Sequence, residues 1–182
     1  MEIRRLATRV VYANRWMRVR EDEVRRADGS EGVYGVVEKP DFALIVPVAP
    51  DGGLWVIEQF RYPVRGRFCE FPQGSWEDEP DADSESVARG ELREETGLQA
   101  GALRRLGRLY PAYGYSNQGL DVWLATDLRE GPPDRSPEEQ GMQAFKVSRD
   151  EWQSMVAGGR VRDAASVAAY GLLLLAEAGA SP

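Results

Sequence analysis

Glu91-Leu92-Arg93-Glu94-Glu95-Thr96-Gly97-Leu98 places three carboxylates at i, i+3 and i+4 and then stops at a glycine. On a helix those positions are neighbours on one face, and like charges so spaced repel by a few tenths of a kcal/mol per pair. At ~100° per residue the three acids span an arc of about 100°, beside an apolar arc of Ala88 and Leu92. A divalent cation among the carboxylates relieves the crowding, because hard cations take oxygen ligands. The segment is therefore a candidate metal site on a helix whose apolar flank rests on a sheet while its acids point into an adjoining cleft.

The rest of the composition narrows the chemistry. The chain has no histidine, which removes Ser-His-Asp and Cys-His catalysis and any imidazole-based zinc site. Cys69 is the single cysteine, so there is no internal disulfide and no CxxC pair; it reads as a small buried residue in the extended run Phe68-Cys69-Glu70-Phe71. Carboxylates remain as the candidates for chemistry. With 30 acidic and 23 basic residues the net charge is −7, against the basic footprint of a nucleic-acid binder. A small anionic substrate stays possible, since a metal and a few local arginines reverse the field within one cleft. The first residues lack a signal-peptide run, and Leu172 to Leu175 is far too short to span a bilayer. No membrane partner and a cytoplasmic location are expected.

The 182 residues, 42% apolar and 29% charged, fit one domain or one domain with an extension. From Thr8 to Lys39 apolar and polar residues alternate around an Asp28-Gly29 turn, as in a small antiparallel sheet. Phe42 to Val48 is a continuous apolar run suited to burial. Asp51-Gly52-Gly53 then turns the chain into Leu54 to Phe60, and these two runs are expected to form a hairpin. A basic loop from Arg61 to Arg67 leads to a strand over Phe68–Phe71, closed by Pro72-Gln73-Gly74. Asp83 or Ser84 caps a helix that runs to about Thr96, with Gly97 as its stop. Strands are expected over Leu106–Tyr110 and Leu120–Ala125, flanking the loop from Pro111 to Gly119, and a last strand over Ala144–Val147. Ser148 with Glu151 forms a capping box for a helix around Trp152–Ala157, and Asp163 starts the final helix. This mixed order fits α+β rather than alternating βαβ units.

Taken together, these residues resemble the Nudix hydrolases. That family's box runs Gly-x5-Glu-x7-Arg-Glu-aliphatic-x-Glu-Glu-x-Gly-aliphatic, and Glu91 to Leu98 match its second half at every specified position. Glu70-Phe71-Pro72-Gln73-Gly74 is similar to the strand and glycine that open it. Two departures stand out. Gly90 occupies the position of the box arginine, with Arg89 one position early. The stretch from Gly74 to Glu91 is longer than the pattern by about two residues, which puts Ala82 at the box's early glutamate. Glu58-Gln59-Phe60-Arg61-Tyr62-Pro63 and Asp163-Ala164-Ala165-Ser166-Val167 resemble segments flanking the box in the ADP-ribose pyrophosphatase branch.

The resemblance implies a Nudix α/β/α sandwich with a mixed sheet (residues 41–182), preceded by a dimerising antiparallel β extension (residues 1–40). It implies a homodimer and metal-assisted attack of water on the pyrophosphate of a nucleoside diphosphate-linked small molecule, ADP-ribose foremost. Alternatives are another diphosphate such as GDP-mannose or a dinucleotide, or a non-catalytic nucleotide-binding regulator. Magnesium is the implied cofactor, with manganese as a substitute. Glu91 and Glu95 are the implied ligands, with Glu94 as a third ligand or supporting catalytic group and the Gln73 carbonyl completing the site. A further acid comes from the late loop, where Glu138 or Glu139 orients or deprotonates the water, and Gln140 falls where relatives carry another acid. Arg61 is the first candidate for a phosphate contact, followed by Arg65 and Arg67. Among aromatic residues suited to stacking on a base, Tyr115 in the glycine-hinged loop Tyr113 to Asn117 is preferred over Trp16, Tyr34 and Tyr113. Glu70 either reaches the cleft or pairs with an arginine on its strand face.

Overall fold

A computed structural model of the chain describes residues 3–76, 79, 81–133 and 141–179. Strands β1 (Arg4–Ala13), β2 (Arg18–Arg25) and β3 (Glu31–Glu38) form an antiparallel sheet of their own. The Asp28-Gly29 turn joins the last two: Asp28 Oδ1 accepts the Ser30 N–H at 2.9 Å, and Gly29 takes a positive φ of 86°.

The body is organised around β4 (Phe42–Pro47). Ala43 and Ile45 point to one core, shared with Val87, Ala88 and Leu92 of helix α1 (Ser84–Thr96). Leu44 and Val46 point to another, shared with Trp152 of α2 (Arg149–Ala157) and with Ala169 and Leu173 of α3 (Ala164–Glu177). A strand buried on both faces is apolar at every position, which is why Phe42 to Val48 shows no alternation. β4 runs parallel to β9 (Leu120–Glu130) and antiparallel to the two-residue β7 (Gln73–Gly74). β9 in turn pairs antiparallel with β8 (Leu98–Leu109), giving a mixed sheet in the order β7-β4-β9-β8. A second, antiparallel sheet has the order β10 (Gln143–Val147), β5 (Leu54–Arg61), β6 (Gly66–Glu70). The architecture is an α/β/α sandwich with a mixed sheet, carrying an antiparallel N-terminal sheet.

Two expectations are corrected. The predicted β4–β5 hairpin does not form beyond a single bridge between Val48 and Leu54; the strands then part into different sheets. The Asp51-Gly52-Gly53 signal sets the turn, but pairing follows burial, and both edges of β4 are taken by β7 and β9. The strand expected at Leu106 instead begins at Leu98. Most side chains from Gln99 to Arg105 are exposed, and a register shift between Arg105 and Gly107 interrupts the alternation that marks a strand.

The helix ends follow their caps. Asp83 Oδ2 accepts the Ser86 N–H at 3.1 Å, and Gly97 closes α1 at a φ of 78° with its N–H on the Arg93 carbonyl. A Cβ at Gly97 would overlap the Gly131 carbonyl and come within 2.9 Å of Pro133 N. The chain entering the late loop thus passes directly over the end of α1. The Ser148–Glu151 capping box opens α2, and Asp163 caps α3.

Candidate active site

The Gln73–Gly74 strand is too short to be held by its two-residue ladder with β4, and other groups fix it. Asp163 Oδ2 accepts the Gln73 Nε2–H at 3.0 Å while also accepting the Ser166 N–H at 2.8 Å and the Ser166 hydroxyl at 2.7 Å. Ser166 Oγ accepts the Phe71 N–H at 2.9 Å, and the Pro72 carbonyl accepts the Ile45 N–H at 2.9 Å. One helix cap therefore does two jobs: it starts α3 and ties down the turn in front of α1.

From the other side come the acids of α1. Glu95, 3% exposed, accepts the Gln73 N–H on Oε2 at 3.0 Å. Glu91, 7% exposed, lies against Gly74 so closely that a Cβ there would overlap its carboxylate, with Oε1 at 2.7 Å. Glycine at 74 is required by that approach. Glu94 lies on the half-buried edge of the same face. Among the described residues no three histidine, cysteine or acidic side chains form a ready-made metal cage. The donor set nonetheless fits magnesium, which keeps several waters and needs only one or two carboxylates. Glu91 and Glu95, with Glu94 beside them and the Gln73 carbonyl, are the oxygens that would hold such an ion.

Beside this turn opens a cleft of about 500 Å³, lined among others by Arg61, Glu70, Gln73, Arg162 and Asp163, with an apolar wall of Phe42 and Phe68. That size lies within the range of small-molecule sites. Arg61 enters it bound to Glu70, donating from Nε to Oε2 at 3.1 Å and from a terminal nitrogen to Oε1. Gln59 Nε2 donates to the same Oε1 at 2.8 Å. Burial would pull the Arg61 guanidinium down, but the Glu70 carboxylate, with Glu95 and Asp163 beyond it, holds it above its ordinary value. Glu70, 2% exposed, is pushed up by burial against the pull of Arg61, and the nearby Asp163 charge adds to the rise. Of the two roles open to Glu70 in sequence, both are realised: it pairs with an arginine and it lines the cleft.

The remaining sequence candidates are placed as follows. Arg65 is exposed, at the end of a short 3-10 turn with a φ of 50°, and is not among the residues lining the cleft. Arg67 is engaged with the Glu58 and Gly141 carbonyls at 3.2 and 2.7 Å. Tyr115 is exposed, its carbonyl accepting the Val37 N–H of β3 at 2.8 Å, and it too stands outside the cleft lining. Trp16, Tyr34 and Tyr113 are exposed, with the Tyr34 hydroxyl on the Gly114 carbonyl at 2.8 Å. Glu138, Glu139 and Gln140 lie outside the described residues. Arg89 donates to Glu85 at 2.7 Å and to the Ala100 carbonyl at 2.9 Å. Cys69 is buried and its thiol is pushed up to about 11 by burial, which keeps it protonated and out of chemistry at neutral pH.

Sequence reasoning missed three participants. Arg162 lines the cleft with its guanidinium 5.5 Å from the centre of the Phe68 ring. Asp163 reads in sequence only as a cap. Trp76 packs on the α1 core cluster; its signal was a large aromatic two residues after Gly74, paired with an unexplained glycine inside a helix.

Comparison with known proteins agrees with this picture. Residues 3–37 match the nucleoside diphosphate sugar hydrolase N-terminal domain, and residues 39–152 match the NUDIX domain. The ADP-ribose pyrophosphatase of Bacillus subtilis (strain 168) is 25% identical over 181 residues, covering 98% of this chain and 96% of that protein. The ADP-ribose pyrophosphatase of Mycobacterium tuberculosis (strain ATCC 25618 / H37Rv) is 36% identical over 125 residues, 68% of this chain and 60% of that one. The methanol dehydrogenase activator of Bacillus methanolicus is 22% identical over 178 residues, 97% of this chain and 95% of that one. A crystal structure of ADP compounds hydrolase shares the fold, with a TM-score of 0.84 at 21% identity over 99% of this chain and 97% of that one. Fold, site and matches together define a pyrophosphohydrolase. The chain belongs to the Nudix family.

The shared role of Asp163 gives a direct test. Asp163→Ala removes the α3 cap and leaves the Gln73 side chain without that partner. It is expected to lower unfolding free energy by about 1–2 kcal/mol, measured by urea denaturation. A loss within ~0.5 kcal/mol, the range of an ordinary surface change, would contradict this assignment.

Proposed function

We propose that the chain is a magnesium-dependent hydrolase of the pyrophosphate bond in a nucleoside diphosphate sugar, with ADP-ribose as the leading substrate. The observation that carries the reading is the burial of Glu91 and Glu95 against the Gln73–Gly74 turn, next to the arginine-bearing cleft. The names of the B. subtilis and M. tuberculosis relatives support the choice of substrate. Bound magnesium, or manganese in its place, supplies charge neutralisation at the diphosphate and a more acidic water. Glu91 and Glu95 hold it together with the Gln73 carbonyl, and Glu94 is a third ligand or supports the other two. The guanidinium of Arg61, kept charged and aimed by Glu70, meets a phosphate oxygen; Arg65 and Tyr115 are the further proposed substrate contacts.

Glu138 or Glu139 takes the proton of the attacking water. A P–O bond forms to that water while the bridging P–O bond breaks, and the second phosphate leaves with the bridging oxygen. What supports a late-loop acid is the path of the flanking chain. It leaves over Gly97 at the end of α1 and rejoins at Gly141 beside Arg67.

The N-terminal sheet is proposed to dimerise, with residues 1–40 as the shared unit. Every residue of β1 is exposed, and Val10, Val11, Tyr12 and Val33 leave apolar surface uncovered on these strands. A nucleotide-binding regulator without turnover is the second reading, favoured by Gly90 at the box arginine position and by the name of the B. methanolicus relative.

Phosphate release across a panel of nucleotide sugars and dinucleotides, with magnesium and a coupled phosphatase, separates these readings. ADP-ribose turnover is expected, lost on chelation and reduced by about two orders of magnitude in Glu95→Gln; tight nucleotide binding with no turnover for any metal would instead establish the regulator. For the late loop, Glu138→Gln or Glu139→Gln is expected to lower kcat more than it raises KM, and full activity in both single variants and their double would sink that role. Light scattering is expected to give twice the chain mass at micromolar concentration. A monomer there would contradict the dimer.

A further inference from the structure

The box position that carries arginine in the Nudix pattern is Gly90 here, and Arg89 is committed to Glu85 and the Ala100 carbonyl. A glycine inside a helix costs about 1 kcal/mol relative to alanine, so one at the centre of α1 calls for a close approach that only glycine permits. That approach is made by Trp76. A Cβ on Gly90 would overlap the indole, with Cε2 and Cη2 at 3.2 and 3.3 Å and Cζ2 closer still. Trp76 is half-buried and packs on the cluster containing Val87, Ala88 and Leu92 of α1 and Ala43 and Ile45 of β4.

The contact has a mirror image one residue along the helix. Gly74, two residues before Trp76, makes room for the carboxylate of Glu91, the residue after Gly90. Each element thus receives a side chain of the other on a glycine: the loop's Trp76 on the helix's Gly90, and the helix's Glu91 on the loop's Gly74. Two adjacent interlocks fix both the rotation of α1 and its slide along the loop, which a single contact does not. An indole is suited to this because it is rigid and has only two side-chain torsions to immobilise.

We propose that Trp76, seated on Gly90, is the positioning residue that sets the Glu91 carboxylate at the Gln73–Gly74 turn, where the family pattern has an arginine at position 90. The proposal rests on the reading of Glu91 as a metal ligand. Without the indole, α1 rocks against the loop and Glu91 loses its fixed distance to the turn. With a methyl group at position 90, the indole is displaced to the same effect. Metal affinity, rather than folding alone, is the quantity that responds.

Isothermal titration of manganese into the protein, with thermal unfolding alongside, tests this. Wild type is expected to bind, and Glu91→Gln to bind far more weakly. Trp76→Ala and Gly90→Ala are each expected to weaken binding about 10-fold or more, the scale of losing a group that orients a ligand. The double variant is expected to lose less than the product of the two, because both act through one contact. Gly90→Ala keeps the test valid if Trp76→Ala fails to fold, since alanine favours the helix. Met155→Ala truncates the core on the other face of β4, in α2, and is expected to lower the unfolding temperature while leaving manganese affinity at the wild-type value. No manganese binding by wild type overturns the metal reading beneath the proposal. Wild-type affinity in Trp76→Ala or Gly90→Ala, or an equal loss in Met155→Ala, overturns the brace alone.

Discussion

The two-residue strand Gln73–Gly74 is the constraint on which the site depends. It is caught between three elements: the edge of β4, the capped start of α3, and the acidic face of α1. Each supplies a different kind of hold. β4 offers a backbone ladder, Asp163 and Ser166 offer side-chain acceptors, and Glu95 offers a carboxylate to a main-chain N–H, a charge-assisted bond of the stronger class. Because Asp163 also caps α3, the helix and the turn are secured by one carboxylate. Glycine at 74 then lets Glu91 come closer than any side chain at that position would allow.

This concentration of acids shapes the electrostatics. The chain carries a net charge of −7, and Glu70, Glu91, Glu95 and Asp163 gather around the turn. Arg61 is the counterweight, yet much of its charge is answered by Glu70, and Arg162 stands at the cleft wall over Phe68. A diphosphate entering such a cleft meets a field that a bound cation must reverse. The proposed magnesium requirement follows from this balance as much as from the carboxylate geometry. Buried Glu70 aims the half-exposed guanidinium of Arg61, since the planar fork is held from one side.

The acidic helix was legible in sequence because its signals are local: spacing of Glu91, Glu94 and Glu95, a cap at Asp83, a stop at Gly97. The two-sided burial of β4 was equally legible as an unbroken apolar run. Strand partners were less so. The Asp51-Gly52-Gly53 turn signal promised a hairpin, but the edges of β4 are claimed by strands distant in sequence, and local chemistry carries no record of that competition. β8 runs beyond its sequence signal because its exposed arginines and its register shift hide the alternation. Trp76 was missed for a related reason. Its importance lies in a glycine fourteen residues away, and a glycine inside a helix does not by itself name the side chain that needs it.

The central claim, that Glu91 and Glu95 hold the catalytic cation against the Gln73–Gly74 turn, is tested most directly by anomalous diffraction from manganese-soaked crystals. An anomalous peak is expected at roughly 2 Å from carboxylate oxygens of Glu91 and Glu95, at the distance of a metal–oxygen bond. A peak held by other residues, or none at a manganese concentration that supports turnover, would contradict it.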